Sequence, residues 1–207
     1  MRYLFIDASQ NKTYIQVSNG SNYSSRIFDT NRNLAARITE IVDEMLADSG
    51  LSKTQLDYYA LGTGPGGLTG LRVAACFLRT CALLSDKPIV CVNLFQWASK
   101  TLQKQKFQHR YRLIVPTLID KAFVVESDKI NNDQIFPELL ERNFDNDIEN
   151  FGIYYSAQNV KQIELDSDVL HEIIINAKQD NSFENILKAL PFYVIKSQAE
   201  RKLEEKK

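Results

Sequence analysis

One glycine-rich stretch contains the residue types that could bind a phosphate group. Residues 61–72 read LGTGPGGLTGLR and hold five of the eight glycines in this chain of 207 residues. The apolar run before this stretch predicts a buried strand, and the longer apolar run after it predicts a helix. Glycine allows a ligand to approach the backbone closely, and the free amides of a helix start attract anions. The candidate loop residues are Gly64, Pro65, Gly66, Gly67, Thr69 and Gly70.

Two interpretations of this glycine loop stay open. It is either a tight, packed turn between a strand and a core helix or a nucleotide phosphate site. The Walker pattern requires Lys and then Ser or Thr after its last glycine, whereas Leu71 and Arg72 follow Gly70 here. The dinucleotide fingerprint is missing as well. These mismatches favour the packed turn, with Thr69 as the predicted N-cap of the helix.

Two charged side chains could contact a nucleotide. Asp7 ends the first apolar run, where an acid could contact a metal or a phosphate, although an Asp at a strand end is commonly a turn former. Arg72 lies in the first turn of the helix that follows the glycine loop. It could form a salt bridge across the helix start, or it could offer a charge to a partner or a nucleotide.

Metal and nucleophile chemistry have weaker support in the sequence. The two histidines, His109 and His171, lie far apart in the chain, and neither has a neighbouring His or Cys. A catalytic metal site is therefore not expected. The three cysteines, Cys76, Cys81 and Cys91, lie in apolar surroundings, which is typical of buried reduced thiols. A protease is disfavoured because no Gly-x-Ser-x-Gly elbow occurs.

Composition excludes further classes of protein. Hydrophobic residues make up 44% and charged residues 25% of the chain, as in ordinary globular domains. A net charge of −1 argues against a protein that binds nucleic acid on its own. We expect no leader at the N-terminus and no membrane span, since Arg79 interrupts the longest apolar stretch. A cytoplasmic location is predicted.

The first half of the chain predicts three strands, then helix, strand, helix, strand, helix. The first helix spans 34–48, because its apolar residues recur at helical spacing and Gly50 can terminate it. The second helix, 69–85, is apolar on nearly every side, so it is either buried or covered by a partner. This order is that of a ribonuclease-H-like half-domain, an antiparallel meander extended by parallel crossovers.

The second half of the chain predicts a smaller α/β unit. We expect a hairpin around Asp120, a helical turn at 137–142, strands at 151–155 and 160–165, and two further helices. Ser167 is the expected cap of the first of these helices, and Ser182 starts the second, which ends before Pro191. The predicted domains are residues 1–103 and 104–195, followed by a charged tail at 196–207.

Three stretches resemble the TsaB (YeaZ) family, namely residues 5–9 (FIDAS), 60–73 around the glycine loop, and 190–194 (LPFYV). The glycine loop is the specific part of the resemblance. The chain departs from the family pattern at Gly67-Leu68, where members usually have Ser-Phe, and at Asn33, where they often have His.

The resemblance implies an α/β fold of two ribonuclease-H-like (actin-like, ASKHA) half-domains, the second reduced. It implies a non-catalytic scaffold in the complex that makes N6-threonylcarbamoyladenosine (t6A) in tRNA. Its partners would be a TsaD-type catalytic subunit and a TsaE-type ATPase, or a second copy of itself, with tRNA reached only through the complex and no membrane. No intrinsic cofactor is implied, although ATP or ADP could lie at the complex interface, near Asp7 and Arg72.

The resemblance also implies that the first two helices form the partner interface. The residues expected there are Leu34, Ile38, Ile41, Met45, Leu71, Arg72, Ala75 and Leu78. The alternative function is an actin-fold ATPase or kinase with degenerate motifs, in which Asp7 would contact a bound nucleotide.

Overall fold

Two five-stranded sheets form the framework of this computed structural model, which describes residues 1–29, 33–117, 120–130, 135, 137–179 and 183–192. The strands of the first sheet are β1 (Arg2–Asp7), β2 (Lys12–Asn19), β3 (Tyr23–Asp29), β4 (Tyr58–Gly64) and β5 (Ile89–Asn93). Their order is β3-β2-β1-β4-β5. The first three strands pair antiparallel, and β4 and β5 join them in parallel. This is the ribonuclease-H-like topology that the order of elements predicts.

Two helices provide the connections into the parallel strands and cover one face of the first sheet. They are α1 (Leu34–Asp48) and α2 (Leu68–Ser85), and α1 has the bounds that its periodicity predicts. Alternation along β1 directs Leu4 and Ile6 into the core beneath these helices. Gly50 follows α1 in the left-handed conformation (φ 68°), as expected for the residue that terminates a helix.

A second core joins the other face of the first sheet to the rest of the chain. Tyr3 and Phe5 of β1 pack there with residues of α3 (Leu94–Lys104), α4 (Ser167–Gln179) and the second sheet. Trp97 of α3 is 1% exposed, and its indole nitrogen donates to the carbonyl oxygen of Asp166 at 2.7 Å. This core is continuous across the predicted boundary at residues 103 and 104.

The second sheet repeats the strand order of the first with fewer helices. Its strands are β6 (Tyr111–Pro116), β7 (Lys121–Glu126), β8 (Glu138–Glu141), β9 (Glu149–Ile153) and β10 (Lys161–Ile163), in the order β10-β9-β6-β7-β8. The strands β6, β7 and β8 form an antiparallel meander, and β9 and β10 are parallel to β6. The connections 142–148 and 154–160 contain no helix, so the second half-domain is the reduced one.

Three local predictions for the second half are wrong. Residues 138–141 form β8 instead of a helical turn, because they pair with β7. Asp166 rather than Ser167 caps α4, since its carboxylate accepts the backbone amides of Asp168 and Val169. Residues 183–192 form no helix, because their backbone bonds to the first sheet. Ser182 and the tail at 196–207 lie outside the described residues.

Candidate partner-binding surface

The glycine loop is packed against the turn between β1 and β2. A Cβ atom added to Gly66 would lie 1.9 Å from the carbonyl oxygen of Ser9, and one added to Gly70 would lie 2.2 Å from that of Ala8. The amide of Gly67 donates to the same Ser9 oxygen at 2.6 Å. Glycine is therefore required at 66 and 70 by the approach of another backbone. This geometry supports the packed turn over the phosphate site.

The N-cap of α2 is not the predicted residue. The helix begins at Leu68 and its N-cap is Gly67, so Thr69 lies inside the first turn and is not the cap. Gly64 has a φ of 87°, and Pro65 follows it with a cis peptide bond. The loop thus leads into α2 with Gly64 at a positive φ, and no hydroxyl group caps the start of the helix.

Asp7 is buried at the end of β1 and is bonded within its own turn. One of its carboxylate oxygens accepts the amide of Ser9 at 2.8 Å and the hydroxyl of Ser9 at 2.6 Å. A Cβ added to Gly62 would lie 2.3 Å from the other oxygen. Burial raises the pKa of Asp7, and the hydrogen bonds from Ser9 oppose that rise. The turn-forming role is the one that these contacts support.

Seven of the eight residues expected at the partner interface are core residues. Their side chains are at most 5% exposed, and they are Leu34, Ile38, Ile41, Met45, Leu71, Ala75 and Leu78. They form the stripe of each helix that packs on the first sheet. The prediction that these side chains lie on an exposed face is therefore corrected. Of the eight, only Arg72 is exposed.

The exposed face of α2 carries large apolar side chains instead. Leu83 is 64% and Leu84 is 83% exposed, and Cys76 and Thr80 lie on the same side of the helix. The outer side of α1 is charged, and its acidic residues Glu40, Asp43, Glu44 and Asp48 form ion pairs with nearby arginine and lysine side chains. The apolar surface available to a partner is thus concentrated on α2.

A groove of about 280 Å³ lies between α2 and the segment 183–192. Arg79 holds the two sides together, because its guanidinium donates to the carbonyl oxygens of Ile186 at 2.8 Å and Leu187 at 3.3 Å. Leu187 and Leu190 line the groove and are 70% and 47% exposed. Neither leucine is among the interface residues predicted from the sequence, although Leu190 belongs to a stretch that carries the family resemblance.

The structure separates the two residues expected near a nucleotide. Arg72 lines the groove beside α2 together with Arg79. Asp7 is not among the residues that line this groove, and its carboxylate is bonded to Ser9. Among the described residues, the groove is therefore lined by positive charge and apolar surface and by no carboxylate.

The two histidines contact aromatic residues, and Cys81 and Cys91 are partly buried against the core. Cys76 is exposed, so the prediction of a buried thiol is wrong at that position. Nδ1 of His171 lies 2.8 Å from the hydroxyl of Tyr3, and His109 contacts the ring of Phe107. Burial raises the pKa of the Cys91 thiol to about 12 and also raises that of Cys81. Within the described parts of the chain, no three His, Cys, Asp or Glu side chains cluster as a metal site would require.

Among the helices of the described residues, α2 is the one that is long and apolar enough to cross a membrane by length and composition alone. The expectation that Arg79 excludes such a span does not hold by this measure. However, Leu71, Ala74 and Leu78 of α2 are fully buried against the first sheet. Ala75 and Ala82 are buried as well, and Val73 and Phe77 are partly buried against the same core, whereas Leu83 and Leu84 are exposed.

Curated relatives and a family model match parts of this chain. The tRNA threonylcarbamoyladenosine biosynthesis protein TsaB of Haemophilus influenzae is 42% identical over 57 residues, covering 28% of this chain and 24% of the relative. The protein of the same name from Escherichia coli is 29% identical over 93 residues, covering 45% and 40%. The family model described as TsaD, tRNA N6-adenosine threonylcarbamoyltransferase, matches residues 28–123. The matched segments span less than half of either relative.

Solved structures resemble the chain over nearly its whole length. YeaZ from Pseudomonas aeruginosa superposes with a TM-score of 0.71 at 18% identity, covering 93% of this chain and 99% of that one. A second structure, of a protein described as similar to peptidase YEAZ from the same organism, gives the same score and identity over 94% and 99%. These two matches show the fold. The curated relatives and the family model support the resemblance to the TsaB/YeaZ family.

Proposed function

We propose that this protein takes part in t6A biosynthesis as a non-catalytic subunit that binds and supports a TsaD-type catalytic subunit. The observation that carries the proposal is the exposed apolar face of α2, with Leu83 and Leu84 at 64% and 83% exposure. Apolar patches of this kind mark protein–protein contacts. The proposed pathway is taken from the names of the curated relatives, both of which are described as tRNA threonylcarbamoyladenosine biosynthesis proteins.

The proposed complex transfers a threonylcarbamoyl group to the N6 atom of an adenosine in tRNA. We propose that a TsaE-type ATPase joins it and that tRNA is reached only through the assembled complex. The net charge of −1 supports that division, because independent binding of tRNA would require a basic surface. ATP or ADP would then bind at the interface between subunits.

The absence of catalysis in this subunit is part of the proposal. Two observations support it. The amide of Gly67 in the glycine loop donates a hydrogen bond to the carbonyl oxygen of Ser9, and the carboxylate of Asp7 accepts a hydrogen bond from the amide of Ser9. The Gly67 amide and the Asp7 carboxylate are therefore already hydrogen-bonded within the fold, and the turn would have to rearrange before they could bind a phosphate or a metal. The purified chain alone is expected neither to hydrolyse ATP nor to modify tRNA.

Size-exclusion chromatography with light scattering tests the proposal. The chain is mixed with the TsaD-type subunit of the same organism, with and without Mg²⁺ and ATP. Co-elution as a complex is expected, and the same experiment on the chain alone reports any homodimer. Separate elution under every condition would overturn the proposed role.

The second candidate function is a degenerate actin-fold ATPase or kinase. The position of Asp7 at the end of β1 is the observation that favours it. Calorimetric titration of the isolated chain with Mg²⁺–ATP separates the two functions. Tight binding that disappears in Asp7→Ala, in a variant that still folds, would support the ATPase.

A further inference from the structure

We propose that the outer face of the second sheet is a docking site for a basic amphipathic helix of another protein. The outer face is the one opposite the core that this sheet shares with α3 and α4. An outer groove of about 350 Å³ lies there, and its lining residues include Arg112 of β6, Val124 of β7 and Leu140 of β8. This inference concerns a different surface from the one in the proposed function and does not depend on that function.

The first argument is the correspondence between the two sheets. Both combine an antiparallel meander with two parallel strands, so β6, β7 and β8 correspond to β1, β2 and β3. On the first sheet, α1 lies in the connection between β3 and β4 and shares a core with apolar residues of β1 and β2. The corresponding connection of the second sheet, residues 142–148, contains no helix. Because the outer groove is lined by residues of β6, β7 and β8 and by Phe144 of this connection, it occupies the place of the missing helix.

The second argument is that the apolar side chains of the outer groove are incompletely covered. Val124 and Phe144 belong to one small core and are 3% and 8% exposed. Leu140 is paired with Ala122 across β7 and β8, which directs it to the same face, and it is 40% exposed. In a stable fold the apolar face of a sheet is buried by another layer. The apolar side of a helix seated in the groove would cover Leu140.

The third argument is the charge of the outer groove. Its charged lining residues are two bases and a larger number of acids, namely Arg112, Lys129, Glu126, Glu138, Glu141 and Asp145. Both bases already form ion pairs, since Arg112 contacts Asp145 at 2.7 Å and Lys129 contacts Glu138 at 2.7 Å. Within the described residues, the carboxylate of Glu141 forms no ion pair. Lysine or arginine side chains beside the apolar stripe of an incoming helix would complement this excess of negative charge.

The same charge disfavours a second copy of this chain as the occupant. A two-fold dimer places the same patch of each subunit against itself, so the acidic outer groove of one copy would face that of the other. Like charges brought together at an interface cost binding energy. Contact between the outer groove and α2 of a second copy would be head-to-tail, and such contacts form rings or filaments. A separate protein with a basic helix avoids both the repulsion and the polymer.

Nuclear magnetic resonance titration of the ¹⁵N-labelled full chain with a model helix tests the docking site. The probe is a synthetic peptide of about 18 residues with leucines at helical spacing and lysines at the other positions. It should shift the backbone amide signals of β7, β8 and residues 142–148. The same peptide with glutamates in place of the lysines should bind at least about tenfold more weakly, because its charge has the sign of the groove.

Two neighbouring leucines of β8 provide a matched pair of variants. Leu140→Ser should weaken binding of the lysine peptide by about tenfold, as is typical when a central apolar contact is removed. Leu139→Ser is the control, because Leu139 is 37% exposed and is paired with Phe123, which belongs to the core on the opposite face. It should bind the peptide as the wild type does. Glu141→Gln removes an acid without breaking an ion pair and should weaken binding of the lysine peptide alone.

Three results would overturn the docking site. The first is that the lysine peptide shifts no amide signals, or shifts those of α2 instead of those of β7 and β8. The second is that the lysine and glutamate peptides bind equally well, or that Leu140→Ser binds as tightly as Leu139→Ser. The third is that the β7 and β8 signals shift with the concentration of the chain alone, which would make a second copy the occupant. The proposed function is judged separately, by co-elution with the TsaD-type subunit.

Discussion

The hydroxyl of Tyr3 in β1 lies 2.8 Å from Nδ1 of His171 in α4, and this contact joins the first sheet to the last described helix. The same hydroxyl accepts a hydrogen bond from the side-chain amide of Gln16 at 2.8 Å. With the Gln16 bond accepted, the Tyr3 hydroxyl can donate its own proton to an unprotonated Nδ1 of His171. The neutral imidazole is the form that fits the folded protein.

This contact predicts that stability depends on pH through His171. Burial lowers the pKa of His171 from its ordinary value of 6.5, and the N-terminal amino group lowers it further, whereas Asp168 and Glu172 oppose the shift. Because the unfolded chain takes up this proton first, the contribution is complete above about pH 6.5 and is lost as the pH falls through the folded-state pKa.

Urea unfolding between pH 7.5 and about pH 5 measures the effect. His171→Asn keeps an acceptor for Tyr3 and removes the titration, so its free energy of unfolding should fall less steeply with decreasing pH. His109→Asn is the control, since His109 contacts only the Phe107 ring among the described aromatic contacts. Identical slopes for the wild type and His171→Asn would contradict the role assigned to this contact.

We expect alanine substitutions at two neighbouring glycines of the loop, Gly66 and Gly67, to differ sharply in their effect on stability. Gly66→Ala would place a methyl group 1.9 Å from the carbonyl oxygen of Ser9, so the turn or the loop must shift. The expected cost is about 3 kcal/mol of unfolding free energy, at the upper end for overpacking. Gly67→Ala is the control, because its added methyl group would lie 3.6 Å from the carbonyl oxygen of Ser9 and the φ of −66° suits any residue.

Thermal and urea unfolding of the two alanine variants provide the measurement. Gly67→Ala should stay within about 0.5 kcal/mol of the wild type. If Gly66→Ala were equally stable, the close packing of the loop on the β1–β2 turn would be refuted. Unchanged stability together with lost binding of Mg²⁺–ATP would instead favour the phosphate site.

We expect the contribution of Asp7 to folding stability to have the opposite pH dependence to that of His171. Burial raises its pKa from 3.8, against hydrogen bonds from Ser9, so the stability that it contributes is present at low pH and lost as the pH rises through the folded-state pKa. Asp7→Asn keeps an acceptor for Ser9 and carries no charge. It should therefore gain stability relative to the wild type at pH 7 and lose that advantage toward pH 4.

Denaturant unfolding of Asp7→Asn across that range checks the sign. Asp7→Ala is the comparison, since it leaves the amide and hydroxyl of Ser9 without their acceptor and should be less stable than Asp7→Asn at every pH. A loss of stability in Asp7→Asn at pH 7 would mean that the charged carboxylate is needed by the fold.

A leucine-to-alanine substitution should change the free energy of unfolding by different amounts on the two sides of α2. Leu78 is fully buried, so Leu78→Ala should cost about 2–5 kcal/mol of unfolding free energy. Leu84 is 83% exposed, so Leu84→Ala should change stability by less than about 0.5 kcal/mol. The exposed leucine is expected to act on partner binding instead.

Titration of the TsaD-type subunit with Leu84→Glu, alongside circular dichroism of the same sample, checks this division. We expect a folded variant with weakened binding. Binding equal to that of the wild type would exclude the C-terminal end of α2 from the interface. Ile41→Glu and Leu78→Glu cannot serve this purpose, because both positions lie in the core.

Regular patterns in the sequence predicted the framework of the first half-domain. Strict helical spacing of apolar residues gave the bounds of α1. The apolar run of β1, the alternation along β2 and the turn residues between them gave the antiparallel start of the sheet. The thinner patterns of the second half were less reliable. Residues 138–141 have two adjacent leucines between glutamates, and this short pattern suits a helical turn as well as a strand.

What the sequence by itself determined is the succession of elements in the first half, the place of the glycine loop between β4 and α2, and the apolar character of α2. What only the tertiary structure decided is which side of α2 meets the sheet and where the segment 183–192 lies. A helix that is apolar on nearly every side gives no periodic signal for its buried face. The segment 183–192 takes its conformation from hydrogen bonds to Ile89, Thr63 and Arg79, all distant in the chain, which local propensity does not encode.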